Sequence, residues 1–421
     1  MISNKTIKWL QTIQETKEKR LNQVCKVYSL KFDLSHLSDA KLHYLSMLFV
    51  EAKWLYNYTL SSEKIFDSDT KVKTVLSLDK DKNLVEHKLE YLSSAMKQAV
   101  KQRLIYSIKG LLIKRKNGKN NEVGKLKFKS RVNSIVLNQF YNVYRFEKQG
   151  KYVKFQKCKY SFKVLGYEQI PKDAEFANAT LTKWNNNYYL KVTCFLSKEE
   201  RKITGKVVGL DFGIKDSIID SNGNKNSFLF PETKQLKRAS KKLNKTKRDS
   251  CNRYKRKLIL EKQYEKISNK KKDARNKFVS KLVKENDFIC IQDESIHSWH
   301  SSKMKDFGRR IQQGIMGGII ADLKNKSTTF VVSKKFPSTQ LCPVCGSLNK
   351  ISLSERVYRC DCGYVEDRDT HSAINILIEG SKSIPMEYRN IMPMEELFNT
   401  QKLLNSSEQS NPMKQEALLV R

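Results

Sequence analysis

The sequence has no long apolar run and no lipidation signal, which makes a membrane surface only the second choice of partner for so basic a chain. Residues Met1 to Gln23 are polar and basic and lack the apolar segment of about 7–15 residues that marks a secretory signal. Acidic residues are scarce beside basic ones: 44 Asp and Glu against 81 Lys and Arg, a formal net charge of +37 over 421 residues. A charge of that size opposes compaction unless a polyanion neutralises it. Nucleic acid is the expected partner, because neutralised phosphates release counterions. The nine cysteines give no disulfide framework. Cys25, Cys158, Cys194, Cys251 and Cys290 stand singly, and the other four cluster at metal-ligand spacing, which suits a reducing prokaryotic cytoplasm.

Those four are Cys342-Pro-Val-Cys345-Gly and Cys360-Asp-Cys362-Gly, fourteen residues apart. Paired knuckles followed by glycine place four thiolates around one Zn²⁺, with amides free to bond the sulfurs. Four protein ligands leave no open position, so this zinc is expected to be structural. The second knuckle is one residue shorter than usual.

Three acids stand in separate short settings. They are Asp211 in Gly-Leu-Asp-Phe-Gly, Glu294 in Ile-Gln-Asp-Glu-Ser-Ile, and Asp369 in Asp-Arg-Asp-Thr-His-Ser-Ala. The first two follow runs that read as buried strands, and the third opens an apolar helix. Carboxylates so placed meet at a sheet edge and can hold two Mg²⁺, or Mn²⁺, about 4 Å apart for phosphodiester hydrolysis. Asp293 and Asp367 stand beside them and compete for the same assignments. His297 and His300, with Trp299 between them, either touch the scissile strand or belong to a mobile basic loop.

Along the chain, residues 24–33 alternate and read as a strand. Ser38 is expected to cap a helix through Leu45, Leu48, Phe49, Ala52 and Leu55. The spacing of Leu92, Met96, Val100, Leu104 and Ile108 predicts a second helix over about 86–115, followed by a polar loop from Gly118 to Gly124. Residues 124–131, with Lys127, Lys129 and Arg131, read either as a nucleic-acid strand or as an amphipathic edge. From 135 to 196 the pattern is β, with a hairpin turning at Asn185-Asn186-Asn187, and is expected to complete a sheet with 24–33. Residues 207–230 read strand, turn, strand, with the turn at Asn222-Gly223-Asn224. A helical stretch over about 234–285 carries 21 Lys and Arg against four acids up to Lys284. Lys241, Lys242, Lys245 and Lys247 lie in it, and it is either a solvated face or a surface for a nucleic-acid duplex. A helix over 309–325 and a strand at 329–332 complete the pass.

The motifs Gly-Leu-Asp-Phe-Gly, Gln-Asp-Glu-Ser-Ile-His-Ser-Trp, Ser-Thr-Gln-Leu-Cys-Pro-Val-Cys-Gly and Cys-Gly-Tyr-Val-Glu-Asp-Arg-Asp-Thr-His-Ser-Ala-Ile-Asn-Ile-Leu together resemble the RuvC-like half of TnpB and of the compact type V CRISPR nucleases. The likeness is specific over 206–378. It implies a multidomain α+β protein: an RNase H-like (RuvC-like) nuclease core with an inserted zinc ribbon, and an N-terminal wedge-like β-barrel with an inserted helical recognition domain. The implied boundaries are 24–35 and 135–205 for the barrel, 36–134 for the recognition insert, 206–334 and 367–379 for the nuclease core, and 335–366 for the zinc-ribbon target-nucleic-acid-binding segment. Residues 1–23 are an extension without assignment and 380–421 a disordered tail. By position, Asp211, Glu294 and Asp369 take the metal-binding roles; Asp369 rather than Asp367 precedes the family's small-residue pattern, here Thr370-His371-Ser372-Ala373. Tyr56, Asn57 and Gln98 occupy places similar to those used near a flanking DNA motif. The implied function is RNA-guided DNA cleavage, with a guide RNA, double-stranded target DNA, two Mg²⁺ and one Zn²⁺, by a monomer or a homodimer on the RNA. The alternatives are a guide-directed repressor and a transposition accessory protein, neither of which cleaves.

Overall fold

The structure, a computed structural model, describes residues 4–62, 65–66, 69–78, 83–116, 124–185, 187–198, 203–213, 218–294, 307–352, 354–385 and 388. His297, Trp299, His300, the loop at 118–123, Asn186 and the chain beyond 388 lie outside them. The chain divides into two compact units, residues 1–200 and 201–421.

The first unit opens with a helix, α1 (Asn4–Leu21), where the sequence offers no assignment. It is tied down at its last turn, where Arg20 makes a bidentate pair with Glu175 and lies 3.6 Å over the Phe195 ring. Strand β1 (Gln23–Phe32) pairs antiparallel with β9 (Asn187–Ser197) from Gln23↔Ser197 to Lys31↔Tyr189. Strands β4 (Ser134–Leu137), β5 (Tyr144–Glu147), β6 (Tyr152–Phe155), β7 (Ser161–Leu165) and β8 (Glu175–Trp184) complete a seven-stranded sheet in the order β4-β8-β9-β1-β7-β6-β5. Period-two alternation drives it: Tyr188, Leu190, Val192, Cys194 and Leu196 of β9 are all buried while their neighbours are not. Helix α2 (Asp39–Ser61) buries Leu45, Leu48, Phe49, Ala52 and Leu55 in the same core. Ser38 sits at its N-cap position, though its hydroxyl makes no capping bond.

The expected helix over 86–115 is shorter and has a hairpin before it. Strands β2 (Thr74–Leu78) and β3 (Leu84–Lys88) pair antiparallel, and α3 runs only over Ser94–Lys116. The reason is Glu51 on α2. Fully buried, it accepts the backbone amides of Glu90, Tyr91 and Leu92 at 2.7–3.0 Å, which holds those residues out of a helix. Leu92 is buried in that turn, so its helical spacing reflects shared burial rather than one continuous helix. Glu51→Ala takes the acceptor from three backbone amides, that of buried Leu92 among them, and is expected to cost about 3 kcal/mol or more of stability, measurable by urea unfolding. A change below about 1 kcal/mol would remove this account.

In the second unit a five-stranded sheet runs in the order β12-β11-β10-β13-β14, from β10 (Val207–Phe212), β11 (Ile218–Asp220), β12 (Lys225–Asn226), β13 (Phe288–Gln292) and β14 (Thr328–Val332). Strands β10, β13 and β14 are parallel; β11 pairs antiparallel with β10, and β12 antiparallel with β11. The turn between β11 and β12 falls at Asn222-Gly223-Asn224, where Asp220 accepts the amides of Asn222 and Asn224 and Gly223 takes φ +81°. The basic stretch forms two helices, α4 (Lys234–Asn244) and α5 (Cys251–Glu285), capped by Thr233 and Ser250. The helix expected over 309–325 is broken at Gly314-Ile315 into α6 (Phe307–Gln313) and α7 (Met316–Lys326).

Both faces of the sheet are covered. Val208, Leu210, Phe212, Ile289 and Ile291 pack against Val279 and Leu282 of α5 and Met316, Ile319 and Leu323 of α7. The other face meets α8 (Arg368–Ser381) through Cys290, Val332, Ile376 and Leu377. That helix lies directly on backbone: a Cβ on Gly209 would fall 2.2 Å from the Ala373 carbonyl, and one on Gly380 would fall 2.5 Å from Cys290 Sγ. Residues 380–385 do not belong to the disordered tail expected from 380, since Ile384 is 2% exposed and packs on Phe288.

Candidate nuclease centre and zinc ribbon

Parallel pairing of β10 and β13, with Leu210 opposite Ile291, aligns the carboxyl ends of the two strands. Asp211 lies one step beyond that pair, and Glu294 lies two residues past the end of β13. Gly209 and Asp211 share one face of the strand, so the helix that presses on Gly209 also reaches Asp211. There Ser372 Oγ donates to Asp211 Oδ1 at 3.1 Å. Asp369 sits in the first turn of the same helix, where the positive end of the helix dipole favours a carboxylate.

The electrostatics report the crowding. Burial pushes Asp211 up to about 7, opposed by the Ser372 bond, raised further by the charges of Asp369 and Glu294, and opposed by Arg368. Glu294 is also raised, by burial and then by Asp293. Asp369 is flanked by Arg368 at 3.4 Å and Arg356 at 3.6 Å. Among the described residues the three carboxylates do not gather as tightly as the cysteines do, but the charges of Asp369 and Glu294 reach Asp211, and carboxylate oxygens are the ligands hard divalent cations take.

The neighbouring acids are used otherwise. Asp367 caps α8: Oδ1 accepts the amides of Asp369 and Thr370 at 3.1 and 3.2 Å, and Oδ2 pairs with Lys225 at 2.9 Å. Burial works against its charge, but Lys225 and the helix amides hold its carboxyl below the usual range. Asp293 is exposed. Sequence reading missed the partners behind the carboxylates, namely Ser372, Ser338, Gln292 and Asn375. The Asn375 amide donates to the carbonyls of Ser338 and Leu341 at 2.7 and 2.8 Å, and His371 is fully buried, stacked at 3.8 Å on Tyr358. Burial pulls His371 down to about 4, so it is neutral at physiological pH. The polarity of His371, Ser372 and Asn375 inside an apolar helix could have flagged those three; Gln292 at a strand end and Ser338 in a loop carry no such signal.

The four knuckle cysteines come together, with all four sulfurs within 4.8 Å of one another. Cys342–Cys362 and Cys345–Cys360 stand 3.6 and 3.4 Å apart, close to the roughly 3.8 Å edge of a tetrahedron with Zn–S bonds of about 2.3 Å. Gly346 and Gly363 take φ +74° and +91°, which lets each knuckle turn back so that their amides bond the Cys342 and Cys360 carbonyls. Burial opposes the Cys360 thiolate, yet Ser347 Oγ and the Cys362 amide bring it down to about 6. The thiol set fits zinc, and the shorter second knuckle does not disturb it. Strands β15 (Val357–Arg359) and β16 (Val365–Asp367) pair behind the knuckles, and β16 runs straight into α8.

The residues expected to touch nucleic acid fall into two groups. Gln98, Lys127, Arg131, Lys241, Lys242, Lys245 and Lys247 are exposed. Tyr56 is 5% exposed, with the Lys129 ammonium 3.9 Å over its ring. The Asn57 amide exchanges hydrogen bonds with the backbone of Lys129 at 3.0 and 2.8 Å. Tyr56, Asn57 and Lys129 therefore fasten the 124–131 segment, which is extended but pairs with no strand, and none of the three is presented for reading bases.

Two family models match the chain. Residues 188–296 match "Probable transposase" (OrfB_IS605), and residues 321–376 match "Cas12f1-like, TNB domain". Asp211 and Glu294 fall in the first, and the four cysteines and Asp369 in the second. The TnpB and compact type V likeness of the motifs thus holds for both segments. More particularly, the chain is 27% identical over 221 residues to a Streptomyces pristinaespiralis protein named "Putative RNA-guided DNA endonuclease". That match covers 50% of this chain and 54% of the relative, so the chain spans about half the length of the curated relative. Among solved structures, a Cas12f1–sgRNA–target DNA complex aligns over 84% of this chain and 99% of that one, at 12% identity and TM-score 0.46. The mini-RNA-guided endonuclease CRISPR-Cas_phi3 aligns over 92% and 98%, at 9% identity and TM-score 0.45.

Proposed function

We propose that the protein is an RNA-guided DNA endonuclease with a single two-metal site built from Asp211, Glu294 and Asp369. The observation that carries this is the placement of the three acids: Asp211 on β10 and Glu294 just past β13 at the carboxyl ends of two parallel strands, and Asp369 in the first turn of the helix whose Ser372 bonds Asp211. The mixed sheet with its last helix laid across β10 and β13 supports an RNase H-like, RuvC-like reading of the core. Divalent ions at such a site supply an activated water and charge stabilisation at the leaving oxygen. The chain's own residues bind and orient: Ser372 holds Asp211, Asp367 and the helix amides fix Asp369, and Arg356 and Arg368 offset the clustered charge. The zinc ribbon, 335–366, is structural and carries target contacts. A guide RNA supplies sequence specificity by pairing with target DNA.

The test is to purify the chain with its bound RNA, sequence that RNA, and challenge the complex with matching DNA. Expected is cutting that needs Mg²⁺ or Mn²⁺, stops with EDTA, and follows the guide. Guide-directed binding without cutting in any metal would instead make the chain a repressor.

The basic helices belong to the same reading. Lys241, Lys242, Lys245 and Lys247 stand exposed at the end of α4 and in the turn before α5, within a stretch of 21 Lys and Arg against four acids. Reversing all four to Glu is expected to weaken binding for every guide alike. It should also flatten the salt dependence by about one log–log unit for each phosphate that is no longer neutralised. An unchanged slope would make this stretch a solvated face.

A further inference from the structure

Behind the carboxylates runs a buried chain of hydrogen bonds that ends in the loop entering the zinc ribbon. Gln292, the last residue of β13, donates its amide nitrogen to the carbonyls of Ser333 and Phe336 at 3.1 and 2.8 Å. Its orientation is thereby fixed, and its Oε1 accepts the Ser338 hydroxyl at 2.8 Å. The single Ser338 hydrogen is then used, so Ser338 Oγ offers only lone pairs to its other neighbour, Ser372 Oγ, 3.0 Å away. Ser372 has one hydrogen for two acceptors, Ser338 Oγ at 3.0 Å and Asp211 Oδ1 at 3.1 Å, so that hydrogen is shared between them and both acceptors set the direction of the hydroxyl. Ser338 and Gln292 are 6% and 7% exposed and Ser372 not at all, so no solvent substitutes for a missing partner. Asn375, one turn along α8, clamps the carbonyls of Ser338 and Leu341, and Leu341 adjoins the zinc ligand Cys342.

We infer that Ser338 is a positioning residue: through Ser372 it fixes the rotamer of Asp211, and through the Asn375 clamp it ties that rotamer to the loop entering the first zinc knuckle. This rests on the reading of Asp211 as a divalent-ion ligand. Outer partners that orient a ligand typically contribute about 10–100-fold to metal affinity. A chain acting as one unit also predicts that removing two of its members costs no more than removing one.

The test uses the full-length, zinc-loaded chain and measures Mn²⁺ binding by calorimetry, beside the Mg²⁺ concentration for half-maximal cleavage. Ser338→Ala and Ser372→Ala are each expected to weaken Mn²⁺ binding about tenfold and to raise the half-saturating Mg²⁺. One equivalent of zinc should persist, and the double variant should match the single ones in Mn²⁺ affinity. Unchanged Mn²⁺ affinity in the serine variants, or losses that multiply in the double variant, overturns the inference. If Ser338→Ala lowers zinc content, Ser372→Ala decides alone, since alanine is at home in a helix and leaves the knuckle loop untouched. A wild-type chain whose Mn²⁺ isotherm is unaffected by Asp211→Ala overturns the carboxylate reading and this one together. Normal wild-type binding with unaffected serine variants overturns this one only.

Discussion

Asp211→Ala, Glu294→Ala and Asp369→Ala are each expected to reduce DNA cleavage by about 10³-fold or more while guide and target binding change less than about tenfold. The asymmetry follows from what the carboxylates do. In the proposed function they form the ion clamp, whose charge stabilisation amounts to several kcal/mol in the transition state, while the exposed basic residues carry the polyanion. Asp367→Ala should behave differently: it removes a helix cap and the Lys225 pair, costs about 1 kcal/mol, and leaves reduced but measurable cutting. Cutting retained in Asp369→Ala and lost in Asp367→Ala would exchange the two roles.

The same site sets a pH dependence. Asp211 is raised from 3.8 to about 7, so without a metal ion the folded state binds a proton that the unfolded state has already released. Its contribution to stability is therefore full below about 4 and lost as pH rises through about 7. A divalent ion replaces that proton, so Mg²⁺ should bind more tightly, and stabilise more, as pH rises across the same window. Melting curves with and without Mg²⁺ over that range check the sign, and Asp211→Asn should flatten both trends.

Removal of zinc is expected to be the second large effect. Cys345→Ser, or chelation, should take zinc from one equivalent to none and abolish target cleavage with it. The ribbon has little else to hold it: its buried core is Cys342, Tyr358, Cys360 and Tyr364, two ligands and two rings. Structural zinc supplies apparent folding free energy of about 10–16 kcal/mol in small zinc-bound domains, and no alternative core is present among the described residues of the ribbon to replace it. Elemental analysis finding no zinc in active protein would remove this claim.

How much of this can be read from the sequence depends on distance along the chain. The knuckles are legible because their ligands are local and glycine marks each turn. Asp211, Glu294 and the turn at Asn222-Gly223-Asn224 are legible because strand ends announce themselves by a change of polarity. Asp369 against Asp367 needs family resemblance, since both open the same helix; only the cap geometry separates their work. The β2–β3 hairpin reads as helix because what excludes the helix there is Glu51, about 40 residues away. Asn57 looks like a base reader in the sequence, and its partner is the backbone 72 residues on. The serine chain behind Asp211 spans separations of 34 to 161 residues, which no periodicity encodes.

The bare contact of α8 with the sheet has a bearing on how this protein tolerates change. At Gly209 the helix presses the Ala373 carbonyl and the Leu377 amide and Cβ against the strand, and at Gly380 its own main chain meets Cys290. The gap between strand and helix is therefore a hard stop, and the span from Asp211 to Asp369 inherits it. Drift among Val208, Leu210, Ile289 and Ile291 on the opposite face would alter how firmly α5 and α7 grip the sheet. The two faces of this core therefore answer to different demands, one to filling space beneath the helices and the other to the distance at which main chain meets main chain.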